Sequence, residues 1–214
     1  MKLIKKAIIF DLDGVICFTD KFHYQAWKAL ADRLGIYFDE KINNRLRGVS
    51  RMASLDIILE RATEEYTQEQ KEAFAEEKNN TYRELLKIMS PADLTDEVRD
   101  TLNELRRRGY KLSIGSSSKN TKFILKQIGL DGFFDAIADG TDITRSKPDP
   151  EVFLKSAAKL GVASDDCAVV EDAKAGIEAA KAGGMTALAL FGDAEGCGLE
   201  DYDLKSFSDL LNIF

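Results

Sequence analysis

The most informative segment for the fold is Ala7-Ile8-Ile9-Phe10-Asp11-Leu12-Asp13-Gly14. Four apolar residues that favour β structure end abruptly in two acids and a glycine, which predicts a buried strand with Asp11 and Asp13 at its carboxyl end. A lone strand of four residues cannot bury itself. It must therefore join a sheet that is built by other parts of the chain.

The sequence beyond residue 90 supplies that sheet. Strand patterns at 111–115, 136–138, 167–170 and 186–190 alternate with helix patterns at 97–108, 120–129, 151–160 and 175–182. Strands that alternate with helices indicate βαβ units and a parallel sheet. The predicted fold class is α/β, with a Rossmann-like parallel-sheet core.

Residues 19–89 separate the first strand from the others and read differently. This stretch contains no proline and shows helical spacing, with Phe22, Ala26, Trp27 and Leu30 on one face. Ser90-Pro91 ends the pattern, because the residue before a proline is pushed away from helix geometry. We therefore predict an inserted all-helical cap domain at 17–90, and a core domain made of 1–16 and 91–214.

Composition excludes several classes of protein. The 214 residues carry a formal net charge of -7, which argues against nucleic-acid partners because these are bound through Lys and Arg. No apolar run approaches a membrane span, and the N-terminal one is too short for a signal peptide. Three widely spaced cysteines without a CxxC motif indicate reduced thiols. We expect a cytoplasmic monomer with no nucleic-acid or membrane partner.

Polar side chains follow each strand of the predicted sheet, where ligands bind in open parallel sheets. They are Asp11 and Asp13 after the first strand, Ser116 to Asn120 after the second, Lys147 in the loop after the third, and Glu171 and Asp172 after the fourth. The acids Asp11, Glu171 and Asp172 form an all-oxygen cluster suited to Mg²⁺. Ser116 with backbone N–H groups at a helix start would bind phosphate oxygens, and Lys147 would offset their charge.

Each of these pieces has a more ordinary interpretation when taken alone. An Asp-x-Asp after a strand is commonly a turn or a cap, a serine run is commonly a helix N-cap, and Glu-Asp is commonly a solvated loop. Their joint placement at the ends of strands favours a site for phosphoryl transfer.

These motifs also resemble a known family, the haloacid dehalogenase superfamily of phosphotransferases. The resemblance rests on four segments in order: Phe10-Asp11-Leu12-Asp13-Gly14-Val15, the Ser116 loop, Lys147-Pro148 and Glu171-Asp172. It implies that Asp11 is a nucleophile that becomes an aspartyl phosphate and that Asp13 is a general acid and base. It also implies that Ser116 and Lys147 bind phosphate, and that Mg²⁺ is held by Asp11, the Asp13 backbone carbonyl, Glu171 and Asp172.

Further segments extend the resemblance: Thr19-x-x-x-His23-x-x-x-Trp27, Gly48-Val49-Ser50-Arg51 with Ser54, Lys78-Asn79, Ser90-Pro91-Ala92-Asp93 and Ser116-x-Ser118-Lys119-Asn120. Together they are similar to the β-phosphoglucomutases within that superfamily, which implies interconversion of β-glucose 1-phosphate and glucose 6-phosphate through β-glucose 1,6-bisphosphate. The substrate-binding residues implied by this similarity are Thr19, His23, Trp27, Gly48, Val49, Ser50, Arg51, Ser54, Lys78, Ser117, Ser118, Lys119 and Asn120. The chain departs from the group at Cys17-Phe18, where Thr-Asp is frequent. This difference puts the behaviour of the hinge in doubt.

Several cap residues have structural alternatives. His23 is either a structural histidine or a modulator of proton transfer by Asp13, and Trp27 is either a core aromatic or a wall of the sugar pocket. Arg51 either binds the non-reacting phosphate through its guanidinium or forms a surface ion pair. Lys78, in a helix rich in Glu and Lys, would be solvated were it not for the resemblance.

Two other functions remain open. A sugar-phosphate phosphatase would use the same four motifs and transfer the phosphoryl group to water, with less need for Arg51, Ser54 and Lys78 to bind a second phosphate. A signalling receiver domain also phosphorylates an aspartate beside Mg²⁺. It would not need a cap of about seventy residues or an acid two positions after the nucleophile.

Overall fold

The computed structural model describes residues 3–46 and 49–214. The chain separates into two compact units. Met1–Phe18 with Ser90–Phe214 form the first, called here the sheet unit, and Thr19–Met89 form the second, called the helical unit. The helical unit begins at residue 19 and ends at residue 89, against limits of 17 and 90 expected from the sequence. That the two units behave as separate domains stays a prediction.

The helical unit contains α1 (Asp20–Arg33), α2 (Glu40–Asn44), α3 (Arg51–Leu59) and α4 (Gln68–Leu86). Helix α1 buries the face predicted from its spacing and packs against α4. Helix α4 begins with a capping box, in which Thr67 and Gln70 each satisfy a backbone N–H of the other. Apolar side chains of α1 and α3, among them Trp27, Leu30 and Leu55, fill the core of this unit.

In the part of the chain that the structure describes, the sheet unit contains six parallel strands, which confirms the predicted α/β class. They are β1 (Ala7–Phe10), β2 (Lys111–Gly115), β3 (Ala136–Ala138), β4 (Cys167–Glu171), β5 (Thr186–Leu190) and β6 (Tyr202–Leu204), in the order β3-β2-β1-β4-β5-β6. Strand β1 lies between β2 and β4, so all four of its residues are buried. A short apolar run without alternation is what a central parallel strand requires.

The helices of the sheet unit are α5 (Asp96–Arg107), α6 (Thr121–Gln127), α7 (Glu151–Leu160), α8 (Lys174–Ala182) and α9 (Leu210–Ile213). Helix α7 has the predicted bounds of 151 and 160. It is followed by Gly161, whose φ of 66° suits a left-handed C-cap. Helix α6 is shorter than the predicted 120–129. The Asn120 N–H is bonded to the Ser118 hydroxyl, and the chain leaves the helix before Gly129.

Strand β6 and helix α9 were not predicted. Strand β6 has three residues, pairs only with β5, and leaves Tyr202 and Asp203 exposed. So short an edge strand has no hydrophobic alternation to reveal it. Helix α9 has four residues, about one turn, which is too short for a helical period.

The carboxyl ends of the strands meet at one edge of the sheet, called here the carboxyl edge. Phe10 pairs with Ile114 of β2 and with Val170 of β4, so the residues that follow these positions lie level with one another. This register places the predicted catalytic segments after β1, β2 and β4 side by side.

Other expectations concern the thiols and the membrane. Cys17, Cys167 and Cys197 are free thiols in the structure. None of the helices in the described residues is both long and apolar enough to cross a bilayer.

Candidate active site

A buried lysine joins two strand ends at the carboxyl edge. The Lys147 ammonium contacts Asp11 Oδ1 and lies 2.5 Å from Glu171 Oε1. All three side chains are buried. Burial lowers the pKa of Lys147, but the charges of Asp11 and Glu171 outweigh it and hold that pKa above its ordinary value. Lys147 is therefore a fixed positive charge beside Asp11.

Asp172 lies against the loop that follows β1. A Cβ atom on Gly14 would fall 2.1 Å from Asp172 Oδ2, and the φ of Gly14 is +90°, so only glycine fits this position. Burial, followed by the charges of Glu171 and Asp11, raises the pKa of Asp172 to about 9. The carboxylates at this edge thus repel one another, which a bound cation would relieve.

Glu171 is already engaged by protein groups. Its Oε1 contacts Lys147, and its Oε2 accepts a hydrogen bond of 2.9 Å from the Ala173 N–H. Across residues 3–46 and 49–214, no three His, Cys, Asp or Glu side chains form a group arranged to hold a metal ion. The donors of the kind that suits a hard cation are the carboxylates of Asp11, Glu171 and Asp172, together with backbone carbonyl oxygen.

The loop after β2 is held by its own hydroxyl groups. Ser116 is buried, its N–H donates to the Ala138 carbonyl at 3.0 Å, and its Oγ accepts from the Ser118 N–H at 3.2 Å. The Ser117 Oγ is buried and has no hydrogen-bond partner among the described residues. A buried hydroxyl left unpaired costs about 1–3 kcal/mol. Ser117 therefore offers a hydrogen bond to a ligand, whereas Lys119 is exposed.

A second buried lysine lies in the helical unit. The Nζ atom of Lys78 is 2.8 Å from His23 Nδ1 and 4.6 Å from the ring centroids of both Trp27 and Tyr82. Lys78 is only 3% exposed, so the alternative that it is solvated is wrong. Burial, and then the charges of Lys78 and Arg51, hold the pKa of His23 well below its ordinary value. His23 is accordingly neutral at pH 7.

Neighbouring residues frame this cluster. Thr19 is buried, and its hydroxyl accepts a hydrogen bond of 3.0 Å from Tyr82. Arg51 is half-buried and donates from Nη2 to Asn79 Oδ1 at 2.8 Å, a neutral acceptor rather than the carboxylate of a surface ion pair. Trp27 is a core residue of this unit, which agrees with the interpretation of Trp27 as a core aromatic.

The remaining predicted cap residues have local roles. Ser50 is the N-cap of α3 and accepts from the Ala53 N–H at 3.2 Å. Ser54 is buried in α3, whereas Val49 is 41% exposed. Gly48 lies outside the described residues.

Two residues of the helical unit, Tyr82 and Asn79, were not among the predicted site residues. Both belong to α4, where Tyr82 lies four residues after Lys78 and therefore shares its face. That helical spacing was the signal that could have identified Tyr82. Asn79 belongs to the Lys78-Asn79 segment of the resemblance, and its contact with Arg51, which is distant in sequence, adds it to the site.

Comparisons with known proteins show which family the chain is similar to. A family profile for haloacid dehalogenase-like hydrolases matches residues 5–184. The chain is 42% identical over 185 residues to a beta-phosphoglucomutase of Bacillus subtilis, covering 86% of this chain and 82% of the relative. It is 31% identical over 183 residues to a phosphorylated carbohydrates phosphatase of Thermotoga maritima, covering 84% and 82%.

A solved structure gives the same result. The crystal structure of a beta-phosphoglucomutase from Clostridium difficile matches with a TM-score of 0.89 at 38% identity, over 96% of this chain and 93% of the other. The residues matched by the family profile include Asp11, Lys147 and Asp172.

Proposed function

The chain belongs to the haloacid dehalogenase-like hydrolases, and we propose that within this family it is a β-phosphoglucomutase. It would interconvert β-glucose 1-phosphate and glucose 6-phosphate through β-glucose 1,6-bisphosphate. The observation that carries the proposal is Asp11, a buried carboxylate at the end of β1 that contacts the Lys147 ammonium. The similarity to mutases along most of the chain supports this choice of reaction.

Asp11 is the proposed nucleophile. Its carboxylate oxygen would attack the phosphorus of the bisphosphate, the bond from phosphorus to the sugar oxygen would break, and an aspartyl phosphate would form. The adjacent ammonium of Lys147 reduces the repulsion between a carboxylate and a phosphate dianion. Its raised pKa keeps it charged throughout the neutral range.

Asp13 is the proposed general acid and base. It would donate a proton to the sugar oxygen as that oxygen leaves, and would remove a proton from the hydroxyl that attacks in the reverse step. Asp13 lies two residues after Asp11 in the same loop, which suits a group that acts on the oxygen opposite the nucleophile.

Phosphate binding would be shared between the loop after β2 and a metal ion. Ser116, Ser117 and Ser118 would supply hydroxyl and backbone donors, with Lys119 and Asn120 beside them. When bound, Mg²⁺ supplies charge neutralisation at the transferring phosphoryl group. Asp11, Glu171, Asp172 and the Asp13 carbonyl would hold it, with Glu171 also accepting hydrogen bonds from Lys147 and from the Ala173 N–H.

Residues of the helical unit would recognise the rest of the substrate. Arg51 would bind the phosphate that is not reacting, since a guanidinium presents two parallel N–H groups to phosphate oxygens. Lys78 would add positive charge, and Thr19, His23 and Trp27 would contact the sugar directly or through Lys78. Gly48, Val49, Ser50 and Ser54 would shape the segment that carries Arg51.

A sugar-phosphate phosphatase is the second candidate function. It is favoured by the similarity to the phosphorylated carbohydrates phosphatase, at 31% identity. The two functions differ only in the acceptor of the phosphoryl group from Asp11, which is a sugar hydroxyl in one and water in the other. Membership of the hydrolase family removes the third alternative, a signalling receiver domain.

One experiment separates the two candidates. The protein is incubated with β-glucose 1-phosphate, Mg²⁺ and a trace of β-glucose 1,6-bisphosphate, and glucose 6-phosphate and inorganic phosphate are measured in parallel. A mutase forms glucose 6-phosphate with little phosphate, and EDTA stops the reaction. Release of one phosphate for every β-glucose 1-phosphate consumed, without glucose 6-phosphate, would establish the phosphatase instead.

A further inference from the structure

A cavity of about 630 Å³ opens in the sheet unit at the amino ends of β1, β2 and β4. Its walls are residues 5–6 before β1, residues 108–111 between α5 and β2, and residues 161–163 with Asp166 between α7 and β4. Lys6 and Asp11 lie at opposite ends of β1, about 16 Å apart for five residues of extended chain. The cavity is therefore separate from the carboxyl edge and takes no part in the proposed reaction.

The lining of this cavity is strongly basic. Lys5, Lys6, Arg108 and Lys111 line it together with a single carboxylate, Asp166. The whole chain has a formal net charge of -7. Four cationic side chains therefore surround one concave surface of a protein that is negatively charged overall. A concave surface with positive side chains concentrates anions.

Two of these cations have carboxylate partners. The Lys6 ammonium lies 2.6 Å from Asp166 Oδ2, and the Arg108 Nε lies 2.8 Å from Glu104 Oε1. The hydrogen bond and charge of Asp166, together with the charge of Asp165, raise the pKa of Lys6. The charges of Lys6 and Arg108 are therefore largely neutralised within the protein.

The other two cations have carbonyl partners. Lys5 donates to the Asp165 backbone carbonyl at 2.5 Å, and Lys111 donates to the Leu160 carbonyl at 2.8 Å. Leu160 is the last residue of α7, so Lys111 also caps that helix. A carbonyl oxygen satisfies a donor but carries no formal charge. Neither ammonium forms an ion pair with a carboxylate among the described residues, although the charge of Lys5 also acts on the carboxyl of Asp201.

We propose that this cavity binds a small phosphorylated metabolite with at least two negative charges, held by Lys5 and Lys111. Its volume lies in the range of small-molecule sites, about 300–1,000 Å³. The acidic character of the rest of the protein opposes a long polyanion such as nucleic acid, which needs an extended basic surface. Charge-assisted hydrogen bonds from two ammonium groups match a compact ligand with paired phosphoryl oxygens.

The test uses the intact protein and inorganic pyrophosphate as the probe, with EDTA present and ionic strength constant. Backbone amide NMR signals of Gly109 and Gly161 report on the cavity, whereas those of Ser118 and Asn120 report separately on the carboxyl edge. We expect saturable shifts at Gly109 and Gly161. The double variant Lys5→Gln/Lys111→Gln should weaken this binding by at least about tenfold, because glutamine can still donate to the two carbonyls but carries no charge.

Two matched variants serve as controls. Lys5→Arg/Lys111→Arg keeps both charges and should retain the binding, whereas Lys126→Gln/Lys205→Gln removes two exposed charges elsewhere in the sheet unit and should leave it unchanged. The proposal is overturned if Gly109 and Gly161 do not shift, if sodium chloride at equal ionic strength shifts them equally, or if all variants bind alike. None of these readouts depends on glucose 6-phosphate formation, so the proposed function stands or falls separately.

Discussion

Lys147 and Lys78 are both buried lysines, one in each unit, and their surroundings differ. Lys147 contacts the carboxylates of Asp11 and Glu171. Lys78 contacts the imidazole of His23 and the faces of two aromatic rings. The first lysine is neutralised by charges that its own unit provides, whereas the second is held by a neutral base and by ring quadrupoles.

The charge around each lysine indicates which groups each unit can bind. In the sheet unit, the ammonium is needed because several carboxylates would otherwise repel one another in a buried place. In the helical unit, burial and then the charges of Lys78 and Arg51 lower the pKa of His23, and these two charges make the local field positive. A positive field suits the binding of an anionic substrate group.

The largest expected effect comes from removing the nucleophile. Asp11→Asn should lower kcat by on the order of 10⁴-fold or more and abolish the phosphoenzyme. The fold should persist, because the asparagine oxygen can still accept from Lys147. Turnover, phosphoenzyme and thermal unfolding are measured beside those of Asp32→Asn, an exposed control. Turnover near that of the control would rule out Asp11 as the nucleophile.

The second prediction compares the two lysines directly by methionine substitution. Lys147→Met leaves buried carboxylates uncompensated and should reduce the free energy of unfolding by about 3–5 kcal/mol, more at pH 8 than at pH 5. Lys78→Met loses the contact with His23 Nδ1 and the contacts with the two rings, but leaves no buried carboxylate exposed to repulsion, and should cost about 0.5–2 kcal/mol. Urea denaturation without Mg²⁺ measures both. Equal losses would mean that the two lysines do not differ as described.

The third prediction concerns Arg51 and the choice between mutase and phosphatase. Arg51→Ala should lower the formation of glucose 6-phosphate by at least about tenfold, from the loss of a charge-assisted contact of roughly 1.5–3 kcal/mol. Slow hydrolysis of phosphorylated Asp11 should persist. Arg61→Ala, which removes an exposed arginine of the same unit, is the control. An equal fall of both activities would make Arg51 a residue of stability only.

The smallest expected effect concerns His23, the one histidine of the chain. Its pKa is lowered by folding, so the unfolded state binds a proton more readily. This contribution to stability is complete above about pH 6.5 and declines as the pH falls below that value. His23→Gln should flatten the decline by at most about 1.4 kcal/mol per pH unit. Identical pH profiles of the two proteins would show that folding leaves the His23 pKa unchanged.

The sequence alone was enough to predict the α/β class, the burial of β1, and the placement of Asp11, Ser116 and Glu171 at strand ends. These follow from local patterns, because a short apolar run that stops at acids has few other solutions. The resemblance also identified Lys78 and Arg51. The sequence did not predict the neighbours of these two residues, since helical periodicity places a lysine on a helix face without revealing which residues cover it.

The contacts between side chains that lie far apart in sequence are visible in the tertiary structure alone. Lys147 meets Asp11 across 136 positions and Lys78 meets His23 across 55. Strand β6 and the basic cavity likewise depend on segments that become neighbours only when the sheet forms. Burial and charge act through space, so a pKa or an ion pair between such residues has no signature in local sequence. The sequence specifies which groups are present, and the packing of the chain determines which of them interact.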